Sequence, residues 1–142
     1  MIAADFIQNI FQHGFFLVDR LEAAEQIRQL VARYAVAYDA RDVAALTGIW
    51  APDVRDFEMA AVNARLSAER TFHLVAPPAL TFEGDDLAHG QAVLRAEAER
   101  GEQWIVVGGV YDDTYVRSGG TWYLGKRVFT VAYSGDVLSR PS

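Results

Sequence analysis

Apolar positions recur at spacings of three and four through Leu21, Ala24, Ile27, Leu30, Val31, Tyr34 and Tyr38. That stripe predicts an amphipathic helix over about 20–38. Asp19 followed by Glu22 supplies a start of capping-box type. Before it, Phe6, Ile7, Ile10 and Phe11 predict a short amphipathic helix that Gly14 ends, an N-terminal extension (residues 1–18) read as a lid or an oligomer contact. Asp42 predicts the cap of a second short helix carrying Val43, Leu46, Ile49 and Trp50, broken at Ala51-Pro52-Asp53. Residues 54–59 read as a short strand and the Ala-rich residues 60–69 as a helix.

From Thr71 onward the pattern changes to strands. Residues 71–83 form one, bent at Pro77-Pro78, and Gly84-Asp85-Asp86 turns the chain. Residues 87–98 alternate, and Arg100-Gly101-Glu102 turns again. Residues 104–117 are rich in Val, Tyr and Thr, Ser118-Gly119-Gly120 is a hairpin turn, and residues 121–133 close the set. Residues 135–142 read as a mobile tail. Helices followed by hairpin-linked antiparallel strands give an α+β fold with helices on one face of a sheet.

At 142 residues the chain forms one domain, 1–142, large enough for a core without staples. It has no cysteine, which excludes disulfides and thiol chemistry and suits a cytoplasmic location. The formal charge is −6, and the 13 basic residues, all Arg but Lys126, are scattered. Nucleic acid and membrane are therefore not expected partners. The apolar N-terminal residues lack a basic n-region and are interrupted by polar ones, which speaks against a signal peptide or a span.

Two residues stand out chemically. Asp39 ends the helical stripe, where an acid meets the negative end of the helix dipole, at a cost of roughly 0.3–1 kcal/mol. It is a solvated turn residue, a partner for Arg41, or a buried orienting carboxylate. His73 lies in the strand-like run Thr71-Phe72-His73-Leu74-Val75, facing away from Phe72 and Leu74. It is either a satisfied core imidazole or a general base. Tyr34 and Tyr38 lie one turn apart on the stripe, as packing residues or as hydrogen-bond donors. His89, in the next strand, is a second pocket imidazole or a surface residue. No pair of His shows metal spacing, and no Gly-rich phosphate loop or Gly-x-Ser-x-Gly elbow occurs. Metal-free, cofactor-free proton transfer and simple ligand binding are what remain.

The run Ile27…Leu30-Val31…Tyr34-Ala35…Tyr38-Asp39-Ala40-Arg41-Asp42…Leu46…Trp50-Ala51-Pro52-Asp53-Val54 resembles the opening of SnoaL-like proteins of the NTF2-like superfamily. Thr71-Phe72-His73-Leu74-Val75, Phe82-Glu83-Gly84-Asp85 and Gly109-Val110-Tyr111-Asp112-Asp113…Gly120-Thr121-Trp122 are similar to its later strands and turns. The resemblance covers about 20–134. It implies a cone-shaped α+β barrel with an apolar pocket for a small hydrophobic ligand, in homodimers or homotrimers. In the scytalone dehydratase and hexachlorocyclohexane dehydrochlorinase branch it implies a catalytic dyad at Asp39 and His73, with Tyr38 and Tyr34 beside it. His89, Trp50, Phe57, Val75, Tyr111 and Phe129 are the expected substrate-binding lining. The 19 residues between Asp53 and His73 are few for the family and imply a more open pocket. The expected function is a dehydratase- or dehydrohalogenase-type lyase, with a non-catalytic binding module or a polyketide cyclase or isomerase as alternatives.

Overall fold

The computed structural model describes residues 2–66 and 70–137, with side chains from Ile7 onward. Three helices precede five strands: α1 (Ile2–Asp39), α2 (Val43–Ile49), α3 (Arg55–Arg65), β1 (Thr71–Val75), β2 (Ala79–Glu83), β3 (Leu87–Arg100), β4 (Gln103–Ser118) and β5 (Thr121–Asp136). The sheet is antiparallel, in the order β1-β3-β4-β5. β2 pairs with the first half of β3 and β1 with its second half. The two short strands thus share one edge of β3, and Pro77-Pro78 divides the single bent strand expected there.

The sheet is open rather than closed into a barrel. Register shifts at Gly108/Gly109 and Thr114/Tyr115 bend β4 against β5, as bulges do by adding local twist. The inner face of β3 carries small residues at its centre, Ala88, Gly90 and Ala92. A side chain at Gly90 would run into Leu80, Tyr115 and Pro78. α1 lays Ala23, Ile27, Leu30, Val31, Tyr34 and Tyr38 into the core with Leu46, Ile49, Trp50, Tyr115, Trp122 and Leu124.

Three element boundaries differ from the sequence expectation. Gly14 does not end a helix, and Asp19 does not start one; α1 runs unbroken through both. A helical glycine costs only about 1 kcal/mol, too little to interrupt a helix of this length. Residues 54–59 are not a strand. Arg55 begins α3, with Asp56 and Glu58 in its first turn, where acids favour the helix dipole, and with Met59 and Val62 buried one turn apart. The helix expected over 60–69 is the second half of α3; residues 67–69 lie outside the described residues. Gly135 and Asp136 belong to β5 rather than to a tail, whose residues 138–142 also lie outside.

The bulge at Gly109 depends on its missing side chain. A Cβ there would overlap the Thr130 carbonyl oxygen and meet the Phe129 ring at 2.7 Å. Gly109→Ala is expected to destabilise the protein by roughly 1–3 kcal/mol, the usual cost of forced overpacking. A urea unfolding midpoint equal to that of the parent protein would show that the β4–β5 bulge can relax.

Candidate functional site

The C-terminus of α1 is shaped by its own hydrogen bonds. Arg41 has φ 59°, its N–H bonds to the Tyr38 carbonyl, and the Asp42 N–H bonds to the Ala37 carbonyl. This is a Schellman ending with arginine where glycine is usual. The Arg41 guanidinium folds back: Nη1 donates to the Tyr38 carbonyl at 2.8 Å and to Thr71 Oγ1 at 2.7 Å. Asp42 caps α2 by accepting from the Ala45 N–H at 2.9 Å, as its position predicts.

This ending aims Asp39 at β1. Its carboxylate accepts from the Thr71 hydroxyl at 2.8 Å and from the His73 backbone N–H at 2.9 Å. His73 Nδ1 lies 2.6 Å from Asp39 Oδ1. Because Arg41 donates to Thr71 Oγ1, the threonine hydrogen is free for the carboxylate. An ionised carboxylate only accepts, so Nδ1 is the donor in this pair, and Nε2 is the nitrogen that the carboxylate leaves free. The His73 side chain is 9% exposed and the Asp39 side chain 21%. Asp39 is thus bonded into β1 and to the imidazole rather than left solvated at the turn.

An aromatic wall extends from the pair. The Tyr38 ring meets His73 edge-on at 4.9 Å between centroids. Tyr34 follows at 5.9 Å from Tyr38, and touches Trp50 at 6.2 Å and Tyr111 at 6.4 Å. Tyr111 continues to Phe129 at 5.3 Å. Val75 packs between the main core and the smaller cluster of Ala92, Leu94 and Tyr111. Burial pushes the Tyr34 and Tyr38 phenols above their ordinary ionisation range, against the opposing pull of Arg127 on Tyr34 and Arg41 on Tyr38. Burial raises Tyr111 further. The phenols stay protonated donors at neutral pH.

Two expected lining residues are elsewhere. His89 faces the outer side of the sheet, because the inward positions of β3 are Ala88, Gly90, Ala92 and Leu94. It borders an outer cleft of about 510 Å³ with Gln91, Thr114 and Lys126, and Glu83 lies 3.5 Å from it. The strand parity that joins His89 to Gln91 places both outside. Phe57 is 78% exposed on α3 and is not among the rings around His73.

One element of the site was not read from the sequence. Arg127 and Asp113 form a bidentate pair, Nε to Oδ1 at 2.8 Å and Nη2 to Oδ2 at 2.7 Å. The Tyr115 hydroxyl donates to the same carboxylate at 2.6 Å. The guanidinium lies 4.4 Å from the Tyr34 ring centre and 3.8 Å from that of Tyr111. Burial works against its charge, but the Asp113 carboxylate more than offsets this and holds the arginine protonated. Its Nη1 is buried and has no hydrogen-bond partner among the described residues. The legible signal was parity: Asp113 falls between Tyr111 and Tyr115 on one strand face, where an unpaired charge could not stay. Among the described residues no group of three or more acids and histidines is placed to hold a metal ion, and no helix is long and apolar enough to cross a membrane.

A model of the SnoaL-like domain matches residues 19–128, and the chain belongs to that family. Its architecture is the NTF2-like α+β fold. A hexachlorocyclohexane dehydrochlorinase (LinA) of type 2 superposes with a TM-score of 0.79 at 22% identity, covering 87% of this chain and 94% of that one. The type 3 enzyme from Novosphingobium barchaimii gives 0.78 at 21% identity, covering 87% and 95%. A protein assigned as a scytalone dehydratase from Novosphingobium aromaticivorans gives 0.76 at 17%, covering 87% and 93%. At these identities the likeness is one of fold. No curated protein sequence matches the chain.

Breaking the buried pair tests its weight. Asp113→Asn leaves the Arg127 charge without its counter-ion and is expected to cost about 3–5 kcal/mol, measured by urea unfolding. The phenols add a pH signature. An unfolded tyrosine ionises near pH 10, about its ordinary value, whereas burial makes the folded phenols hold their protons to higher pH. Above about pH 10 the unfolded state therefore binds fewer protons, and stability falls as pH rises. Tyr111→Phe should make that alkaline decline shallower; an unchanged slope in melting temperature from pH 9 to 11 would count against the buried phenol.

Proposed function

We propose that this chain is a cofactor-free acid–base lyase, of dehydratase or dehydrohalogenase type, acting on a small, largely apolar cyclic compound. The observation that carries the proposal is the 2.6 Å contact of His73 Nδ1 with Asp39, on a carboxylate also held by Thr71 and the His73 backbone. The fold shared with dehydrochlorinase and dehydratase structures supports it.

In this proposal His73 Nε2 takes a proton from a substrate carbon. The C–H electron pair becomes the new double bond, and the bond to the leaving group on the neighbouring carbon breaks. Asp39 stabilises the imidazolium without itself accepting the proton, as carboxylates do in other dyads. Tyr38 and Tyr34 offer neutral hydroxyls for the departing anion, and the buried Arg127 charge, stacked on Tyr34 and Tyr111, favours negative charge beside them. The rings of Tyr34, Tyr111 and Phe129 give an apolar substrate its surface, with Trp50 packed behind Tyr34. A polyketide cyclase or isomerase would use the same pair on an enolisable substrate. A purely ligand-binding module gains nothing from a fixed imidazole tautomer.

The test begins with a screen of halogenated and hydroxylated ring compounds for turnover. His73→Ala is expected to lower kcat by roughly 10²–10⁴-fold, the usual contribution of a positioned base, and Asp39→Asn to lower it in the same direction. Both variants should retain the parent circular dichroism spectrum. Full activity in folded His73→Ala and Asp39→Asn protein would remove the dyad from the chemistry.

A further inference from the structure

The first half of α1 carries an apolar face that the domain does not use. Ile7, Ile10, Phe11, Leu17, Val18 and Leu21 are each more than half exposed. At 100° per residue they form one stripe about 120° wide, with Gly14 on its midline. The stripe lies on the opposite side of the helix from Ile27, Leu30 and Tyr34, which face the core. It therefore points away from the body of the domain. Gln8, Asn9, Gln12, His13, Asp19 and Arg20 occupy the rest of this segment's surface, together with Phe15, beyond the stripe's edge, and Phe16, on the core side.

The stripe is a palindrome about Gly14. Ile7 stands seven residues before it and Leu21 seven after; Ile10 and Val18 stand four away; Phe11 and Leu17 stand three away. Two helices related by a two-fold axis at Gly14 run antiparallel, which brings mirror positions to the same height and keeps each side chain on its own edge of the stripe. Ile7 and Leu21 meet near the midline, Phe11 meets Val18 along one edge, and Ile10 meets Leu17 along the other, all apolar. Self-complementarity of this kind is what an isologous contact requires. Gly14 fits the same arrangement. Nothing in the domain lies within 4 Å of where its Cβ would be, so packing inside the chain does not explain a residue that weakens the helix. At the crossing point of two helices, a glycine permits close approach.

The area suffices. The six stripe side chains expose on the order of 700 Å² per copy, close to the roughly 800 Å² that each partner of a standard interface contributes.

We infer that residues 7–21 of α1 are a dimerisation arm that pairs antiparallel with α1 of a second copy of this chain, about a two-fold axis at Gly14. The full chain should sediment as an even number of copies at micromolar concentration. Phe11→Glu with Leu17→Glu, both at exposed positions, should halve that mass while leaving the circular dichroism spectrum unchanged. The chain has no cysteine, so single cysteines report geometry directly. Co-expressed Ile10→Cys and Leu17→Cys chains should form a mixed disulfide dimer on oxidation, and neither chain alone should cross-link. An unchanged mass in the double glutamate variant overturns the arm. Cross-linking of each cysteine chain with itself would show parallel packing, and no cross-link in the mixture would show no such contact; either overturns the proposal.

Discussion

One carboxylate ties the helical layer of this protein to its sheet. Asp39 closes α1 and accepts from Thr71, from the His73 backbone and from the His73 ring. By itself an acid at a helix C-terminus is misplaced, at a cost of roughly 0.3–1 kcal/mol. Hydrogen bonds to a charged group contribute roughly 1.5–3 kcal/mol each, so three of them decide the balance. The tie fixes where β1 sits against α1, and with it which side of the imidazole is occupied and which is left open. Arg41, held at a positive φ, completes the lock by bridging the end of α1 to Thr71.

A second polar unit stands at the other end of the aromatic wall. Asp113, Arg127 and Tyr115 are buried together beneath Tyr34 and Tyr111, with side-chain exposures of 6% and 0% for the arginine and its partner. A buried ion pair of this kind contributes little net stability compared with apolar packing, because desolvation consumes most of the attraction. What it does supply is a fixed positive charge beside neutral phenols, at the far end of the aromatic wall from the His73 imidazole. In the proposed elimination that separation would set the base at one end and positive charge at the other.

The molecule divides its long helix between two tasks. The segment from Ala23 onward packs the core and delivers Asp39. The segment before it presents its apolar side outward, opposite to the side that packs farther along. The same amphipathic logic thus serves folding in one half and, in the dimer inferred above, association in the other.

Much of the fold was legible because periodicity is a local property. The stripe from Leu21 to Tyr38, the cap at Asp42 and the hairpin at Gly119-Gly120 needed no knowledge of distant residues. The failures were also local: Gly14 and Asp19 carry helix-ending and helix-starting signals that continuous helix overrode, and residues 54–59 carried no period strong enough to separate a strand from α3. For the site, the sequence marked Asp39, His73, Tyr34 and Tyr38 by type and position. It could not show that residues 34 apart share a hydrogen bond, nor that a bulge at Thr114/Tyr115 aligns Arg127 with Asp113. Nor did it set the face of His89, whose outward direction follows from the burial of Ala88, Gly90 and Ala92 on the opposite face of β3. Side-chain type and spacing are written in the chain, whereas the pairing of charges and the choice of sheet face arise only when burial forces each polar group to find a partner.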